Sequence, residues 1–437
     1  MASTGTLTTR TLRKHLGVAD GFVLYTTAVL GQSLIVLPSI AARQSGPWSI
    51  LVWAGLGVFS YPIARVMAEL GMRYPSAGGI TAFISAGLGK RFGELTGVIY
   101  LMAIAIGAPV AAVFLSDYFV KLLPVTASAR PWITICALAL PLIINGFEVS
   151  ALIRIQRWGF IACLIAVGIS IVCALPHLEP ARFTDIQGYT PADVLATGLL
   201  CFFAFVGWEN ASFSGEEFAD RATLIKALGS AVVAVGAIFV LLGVAVVGSL
   251  SRPVIATSDA SLSDLLQVSI GPAAAQLAAG IAVLIMCLLM ISWMRGASRL
   301  IVSLARDSVL PPALARVHSK SGTPRRALLA LGLMVAIGMA AYILGSSHVE
   351  VFLRLASASF VMTYVIIFVA AWRLLEIRRF GLLLAIASLG ILILVAASFQ
   401  NLWYIVIGVA LYGVLLALRP WFSRKAPGDG EKMAQYP

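Results

Sequence analysis

Long apolar runs alternate with short polar connectors along the whole chain. Runs of about 20 residues, the length a helix needs to cross a hydrocarbon core, lie at 21–42, 47–70, 94–119, 131–148, 156–175 and 191–213. Six more follow at 226–249, 272–304, 327–346, 350–372, 380–398 and 402–419. The pattern predicts an all-α integral membrane protein of about twelve transmembrane helices. A single membrane domain, residues 21–420, is expected between a polar N-terminal segment at 1–20 and a charge-rich tail at 421–437. No connector is long enough for a folded soluble domain, the longest inner ones being 71–93 and 306–326. Segment 1–20 has no short apolar core ahead of a small-residue cleavage site, so the first helix itself is expected to direct insertion.

Composition supports this reading. With 60% hydrophobic and 11% charged residues, the chain has too little polar surface to cover a water-soluble globule of 437 residues. The net charge of +12 would suit nucleic acid only if the basic groups shared one exposed face, and here they sit between apolar runs. No nucleic-acid partner is expected; membrane lipid is. Of the 31 Lys and Arg, 23 fall on the side of the two termini and six on the other, with Arg65 and Arg295 inside helices. By the positive-inside rule both termini are cytoplasmic and the chain is multi-pass in the plasma (inner) membrane. Cys136, Cys163, Cys173, Cys201 and Cys287 all lie in apolar runs, so neither a disulfide framework nor a metal site is expected. His15, His177, His318 and His348 are scattered among connectors, and no HExxH, paired-carboxylate or GxSxG pattern occurs. An enzyme is not expected, nor any cofactor.

Two runs carry residues that can interrupt a helix. Ala28 to Pro38 reads A-V-L-G-Q-S-L-I-V-L-P, with Gly31, Gln32 and Ser33 at mid-membrane and a proline beyond them. Phe202 to Asn210 reads F-F-A-F-V-G-W-E-N, with Gly207 ahead of the ionisable Glu209. Freed backbone N–H and C=O groups are not tolerated against lipid, so an interruption at that depth implies a protein-lined cavity. Glycine in a membrane helix also serves close packing, which leaves either site ambiguous alone. Their placement decides: the first and sixth helices head two blocks of five, and because five is odd the second block enters from the opposite side. Interrupted helices at matching positions of inverted halves mark the central site of a carrier.

Three segments carry a family resemblance: Ser298 to Leu328 (S-R-L-I-V-S-L-A-R-D-S-V-L-P-P-A-L-A-R-V-H-S-K-S-G-T-P-R-R-A-L), Ala68 to Gly79 (A-E-L-G-M-R-Y-P-S-A-G-G), and F-V-G-W-E at Phe205 to Glu209 followed by Glu216 and Glu217. Over roughly residues 15–420 the chain resembles the amino acid, polyamine and organocation transporter superfamily. The I-G-A-P-V-A-A run at Ile106 to Ala112 resembles its bacterial branch of hydrophobic amino-acid exporters. The resemblance implies a LeuT-like fold: inverted five-helix repeats at about 21–175 and 191–372, two extra helices at about 380–419, and interruptions in helices one and six. It implies that a substrate carboxylate meets N–H groups at Gly31, Gln32 and Ser33, where a helix N-terminus favours an anion. The ammonium would face carbonyls near Val29, Phe203 and Val206, beside Gly207. Phe203 matches an aromatic that covers the substrate, and Trp293 a pocket position that stacks on a side chain. Where relatives have G-x-G in the first helix this chain has Gly31-Gln32-Ser33, so that a side chain at Ser33 either crowds the approach of a carboxylate or, like the Gln32 amide, bonds the substrate directly.

The lysine that some proton-coupled relatives place in the fifth helix is replaced by Cys163. Glu209 is the remaining proton candidate, since a carboxyl beside the interruption is costly to keep charged. A permanent hydrogen bond to freed backbone is its alternative role. Ile106 to Pro109, Phe203, Phe205, Met286, Met290 and Trp293 form the expected cavity wall, nearly all apolar, which favours a neutral hydrophobic amino acid. Residues two apart on a helix point about 200° apart, so Trp293 is expected to face the cavity and Arg295 a structural partner. Another small amine or an organic anion remains an alternative substrate, and a channel or membrane enzyme an alternative class; uptake, exchange, export, and monomer against homodimer stay open. The charge asymmetry predicts that a reporter fused to the C-terminus reads cytoplasmic; an external readout would overturn the helix count.

Overall fold

Within hydrocarbon only a helix satisfies every backbone N–H and C=O inside one segment, and helix is what the apolar runs form. The computed structural model describes residues 17–30, 33–74, 80–123, 126–147, 151–209, 218, 220–257, 260–318, 323–345 and 349–424. The first half holds α1 (Val18–Leu30), α2 (Ser33–Ser45), α3 (Trp48–Arg73), α4 (Ile80–Leu88), α5 (Lys90–Leu122), α6 (Arg130–Asn145) and α7 (Ala151–Ala174). The short α8 (Pro180–Thr184) leads to α9 (Pro191–Phe202), α10 (Arg221–Ser249), α11 (Arg252–Thr257), α12 (Ser261–Ser269) and α13 (Pro272–Arg306). The chain closes with α14 (Arg325–Leu344), α15 (Val349–Leu374), α16 (Ile377–Ala397) and α17 (Leu402–Arg424).

Among the described residues nine helical stretches are long and apolar enough to cross a membrane, and two shorter apolar ones lie at Arg130–Asn145 and Pro191–Phe205. The first expected span carries α1 and α2 on either side of residues 31 and 32, which lie outside the described residues. Glu216 and Glu217 lie outside them too.

The core forms around α5, whose apolar stretch is 89% buried, against 28% for α16 and 18% for the stretch containing α17. The last two helices therefore coat the outside, presenting Leu382, Leu389 and Val406 outward. α5 packs against α13, α15 and α14, and α3 against α10. Without a hydrophobic drive between helices in lipid, close backbone approach supplies the packing. A Cβ at Gly57 of α3 would stand 3.0 Å from the Cα of Gly236 on α10, and one at Gly338 of α14 would stand 2.0 Å from the Ala105 carbonyl on α5.

Charged side chains gather at the two ends of this bundle. At one end the buried Glu69 accepts from Arg65 (3.2 Å), Arg73 (3.0 Å) and Arg221, so the Arg65–Glu69 pair is the centre of a larger cluster. Nearby, Glu94 binds Tyr412 (2.8 Å) and Arg419 (3.4 Å), fastening α17 to α5. The other end holds Arg43–Glu350 (3.0 Å), Arg252–Asp185 (2.6 Å), Lys121–Asp264 and Arg130–Asp117. α10 starts on Asp220, and the Thr223 N–H, donating to its carboxyl at 2.8 Å, holds that group below the usual carboxylate range.

Candidate functional site

α9 begins firmly and ends abruptly. Its first turn is fixed by a reciprocal cap between Thr190 and Asp193, with Pro191 at the first helical position. After Phe202 the chain tightens into a 3-10 turn at Phe203–Phe205, passes through extended Val206 (φ −76°, ψ 135°), and reaches Gly207 at φ +132°. That last value lies where glycine alone is at ease. The helix of the sixth expected run thus ends ahead of Gly207, and residues 210–217 lie outside the described residues.

The interruption frees backbone, and Glu209 takes part of it up. The Gly207 N–H donates to Glu209 Oε2 at 2.9 Å, although Glu209 is only 4% exposed. Tyr100 of α5 donates its hydroxyl to Oε1 at 3.1 Å, and Tyr364 of α15 donates to Oε2 at 2.7 Å. One carboxyl therefore joins the interrupted segment to two core helices.

The first span lies opposite. Both α1 and α2 pack against the Phe203–Phe205 turn. Val29 and Ser33 are buried at their facing ends, and the Ser33 hydroxyl turns to the Leu30 carbonyl at 3.4 Å; Gly31 and Gln32 lie outside the described residues. Further on, Pro38 removes a donor from α2, and neighbouring backbone bonds leave the helix. Ser39 N–H donates to the Ser261 hydroxyl (2.9 Å), which donates to Val36 O (3.2 Å), while Tyr118 donates to Ile35 O (2.8 Å). α12 is thereby hooked onto the irregular part of α2.

Aromatic rings surround Phe203. Its ring meets Trp293 edge-on at 5.7 Å and Phe360 at 6.0 Å, and Phe360 meets Tyr100 at 5.4 Å. Gly107 of α5 faces the same rings, since a Cβ there would stand 3.7 Å from both Phe203 and Trp293. Arg295 points elsewhere: its Nε donates to Asn145 Oδ1 at 3.3 Å, at the end of α6. Phe205 departs from the expected wall. It packs toward Trp53 (6.2 Å) and Phe239 (5.2 Å), because the tight turn aims residues 203 and 205 at different neighbours. Met286 and Met290 are buried on the α13 face that carries Trp293. No group of three or more His, Cys, Asp or Glu poised for a metal occurs among the described residues.

A family model described as amino acid permease matches residues 16–423. The chain belongs to the amino acid permease family. This places it in the amino acid, polyamine and organocation superfamily as a multi-pass membrane protein. It is 28% identical to the uncharacterized amino acid permease YecA of Bacillus subtilis, over 96% of this chain and 98% of the relative. It is 28% identical to the L-methionine/branched-chain amino acid exporter YjeH of Escherichia coli, over 96% and 99%. The branched-chain amino acid permease BcaP of Bacillus subtilis is 24% identical over 75% of each chain.

In this permease the structure brings Phe203, Val206, Gly207 and Glu209 together on one interrupted segment, with Trp293 against Phe203 and Val29 and Ser33 on the helices that pack on it. Sequence reasoning missed Tyr100, Phe360 and Tyr364. A signal for the tyrosines existed: a hydroxyl in the middle of an apolar run needs a buried partner, and Glu209 is the carboxyl at that depth. Both hydroxyls share one acceptor group, so their losses should be coupled. Tyr364→Phe is expected to cost about 1.5–3 kcal/mol of stability, with a non-additive remainder in the Tyr100→Phe double variant. Thermal unfolding of the purified variants in detergent measures this, and additive, near-zero effects would contradict the shared-carboxyl geometry.

Proposed function

We propose that the permease is a secondary active transporter of neutral, hydrophobic amino acids that works by alternating access. The observation that carries this reading is the interrupted segment at Phe203–Glu209, buried against α1 and α2 and roofed by Trp293 and Phe360. In this reading twelve spans form two inverted five-helix repeats and two further helices, with α1 and α2 as the halves of the first span and Pro191–Phe205 opening the sixth. Both termini are cytoplasmic. The substrate carboxylate sits at the N-terminal end of α2, on Gly31, Gln32 and Ser33, where helix-end N–H groups and the helix dipole favour an anion. The ammonium meets carbonyls near Val29, Phe203 and Val206.

The side chain then falls among Phe203, Trp293, Phe360 and Gly107, none of them charged. Burying a Leu-sized group there contributes about 1.5–3 kcal/mol, while an unpaired charge would cost more than that gain. Arg295, engaged by Asn145, is in this reading structural. The activities for which the relatives are named, methionine and branched-chain export and branched-chain permeation, support the same substrate class. Glu209 is the proton-binding group, because its protonation changes what Tyr100, Tyr364 and Gly207 can bond to, and so the hold on the interrupted segment.

Flux of labelled leucine in proteoliposomes, with competitors, tests both parts. Leucine, methionine and phenylalanine should inhibit strongly, and glutamate, aspartate, lysine and arginine little. Preferential inhibition by the acidic pair, abolished by Arg295→Ala, would instead put Arg295 in the pocket. In the same assay Glu209→Gln should flatten the pH dependence of flux, and an unchanged pH profile would remove Glu209 from coupling.

A further inference from the structure

α15 and α16 form a hairpin at the bundle end that carries the Glu69 cluster, with only Leu375 and Glu376 between them. Three arginines flank that connector: Arg373 in the last turn of α15, and Arg378 and Arg379 in the first turn of α16. All three are exposed, and among the described residues none of them forms an ion pair or a hydrogen bond. The connector's own carboxyl is engaged elsewhere, since Glu376 pairs with Arg73 at 3.6 Å. Arg379 stands 5.5 Å from the centre of the Phe380 ring, which Arg65 and Arg73 both approach at 5.7 Å. Those two arginines are neutralised by Glu69, which Arg221 shares. The charge of residues 373, 378 and 379 is left uncompensated.

The outward faces of the two helices lead to these arginines. On α16, Leu382, Ile386, Leu389 and Ile393 are exposed, and at 100° per residue they share with Arg378 one sector of about 80°. On α15 the exposed Val369 lies one turn before Arg373, with the exposed Trp372 next to it. Trp372 Nε1 donates to Ser388 Oγ at 3.0 Å and joins the two faces. An exposed apolar stripe on a helix of this length meets lipid chains. Arg373 and Arg378 therefore stand where lipid-facing stripes reach the polar boundary, with long stems that let each guanidinium extend to headgroup level.

Basic residues that only set orientation need share no common position on their side of the membrane. These converge on one hairpin, at the head of a continuous apolar face. A guanidinium offers forked donors that fit phosphate oxygens. A zwitterionic headgroup would bring its own cation against three uncompensated arginines, whereas an anionic one brings only the charge they lack.

We propose that the α15–α16 hairpin is a binding site for an anionic phospholipid, whose phosphodiester is held by Arg373, Arg378 and Arg379 and whose acyl chains lie along the stripe from Leu382 to Ile393.

The test is equilibrium binding of chain-labelled phosphatidylglycerol to the purified full-length protein in a non-ionic detergent, with unlabelled phosphatidylglycerol, phosphatidylcholine of the same chains, and glycerol 3-phosphate as competitors. Phosphatidylglycerol should compete at least ten-fold better than phosphatidylcholine, and glycerol 3-phosphate should not compete. Each of Arg373→Gln, Arg378→Gln and Arg379→Gln should weaken binding about five-fold, the share of one basic side chain at a charged lipid surface. The triple variant should lose the preference altogether. The control is Arg316→Gln, Arg325→Gln and Arg326→Gln combined, three exposed arginines on the connector and first turn of α14. It removes the same charge and should keep the preference. Thermal unfolding in phosphatidylcholine alone should match wild type for both triple variants, because every substituted side chain is exposed. Equal competition by the two lipids, a preference that survives the hairpin triple variant, or equal loss in the control would overturn the site. Displacement by glycerol 3-phosphate would make it a site for a soluble phosphate and overturn the lipid assignment.

Discussion

A backbone amide at membrane depth must find a partner inside the protein, and the rest of this structure follows from that requirement. Each unpaired group in hydrocarbon costs several kcal/mol, so a chain this apolar is helical wherever it can be. Where it leaves the helix, something must answer. At Phe203–Glu209 the answer is a carboxyl that accepts the Gly207 N–H and is itself fixed by Tyr100 and Tyr364. At Pro38 it is Ser261 and Tyr118, which take over bonds that α2 cannot make within itself. Both irregularities are braced by distant helices, and neither could exist in an isolated span.

Most of the architecture was legible because hydropathy along the chain has the same length scale as a bilayer. The expected runs coincide with helices to within a few residues at most boundaries, as at 48–73 against an expected 47–70 and 325–344 against 327–346. The departure from helix ahead of Gly207 was legible too, since a glycine followed by an ionisable residue inside an apolar run fits an unbroken, lipid-facing helix poorly. What the sequence could not disclose was direction within the turn. Phe203 and Phe205 are both apolar aromatics two residues apart, and only the 3-10 geometry sends one toward Trp293 and the other toward Trp53 and Phe239. Tyr100 and Tyr364 were hidden for a related reason: they are 109 and 155 residues from Glu209, and no periodicity connects them. The Arg295–Asn145 bond illustrates the opposite case, where helical angle alone separated Arg295 from Trp293 correctly.

In the proposed reading the substrate binds between these two irregular segments. Uncharged rings surround Phe203, and Glu209 links the same segment to α5 and α15 through its hydrogen bonds with Tyr100 and Tyr364. The ion clusters at the bundle ends play a different part. Glu69 with its three arginines, and Arg43 with Glu350, fasten helix ends. Stability therefore resides in α5 and its neighbours, while the irregular segments are held by a few directional bonds. Such bonds can be exchanged without dismantling the core.

The proposed function requires substrate to bind between the ends of α1 and α2 and the 203–207 segment. Cryo-electron microscopy of the purified permease saturated with leucine measures this directly. The account predicts ligand density there, with its carboxylate at residues 31–33 and its side chain against Phe203 and Trp293. Leucine bound elsewhere in the bundle, with that space closed by protein side chains, would contradict it.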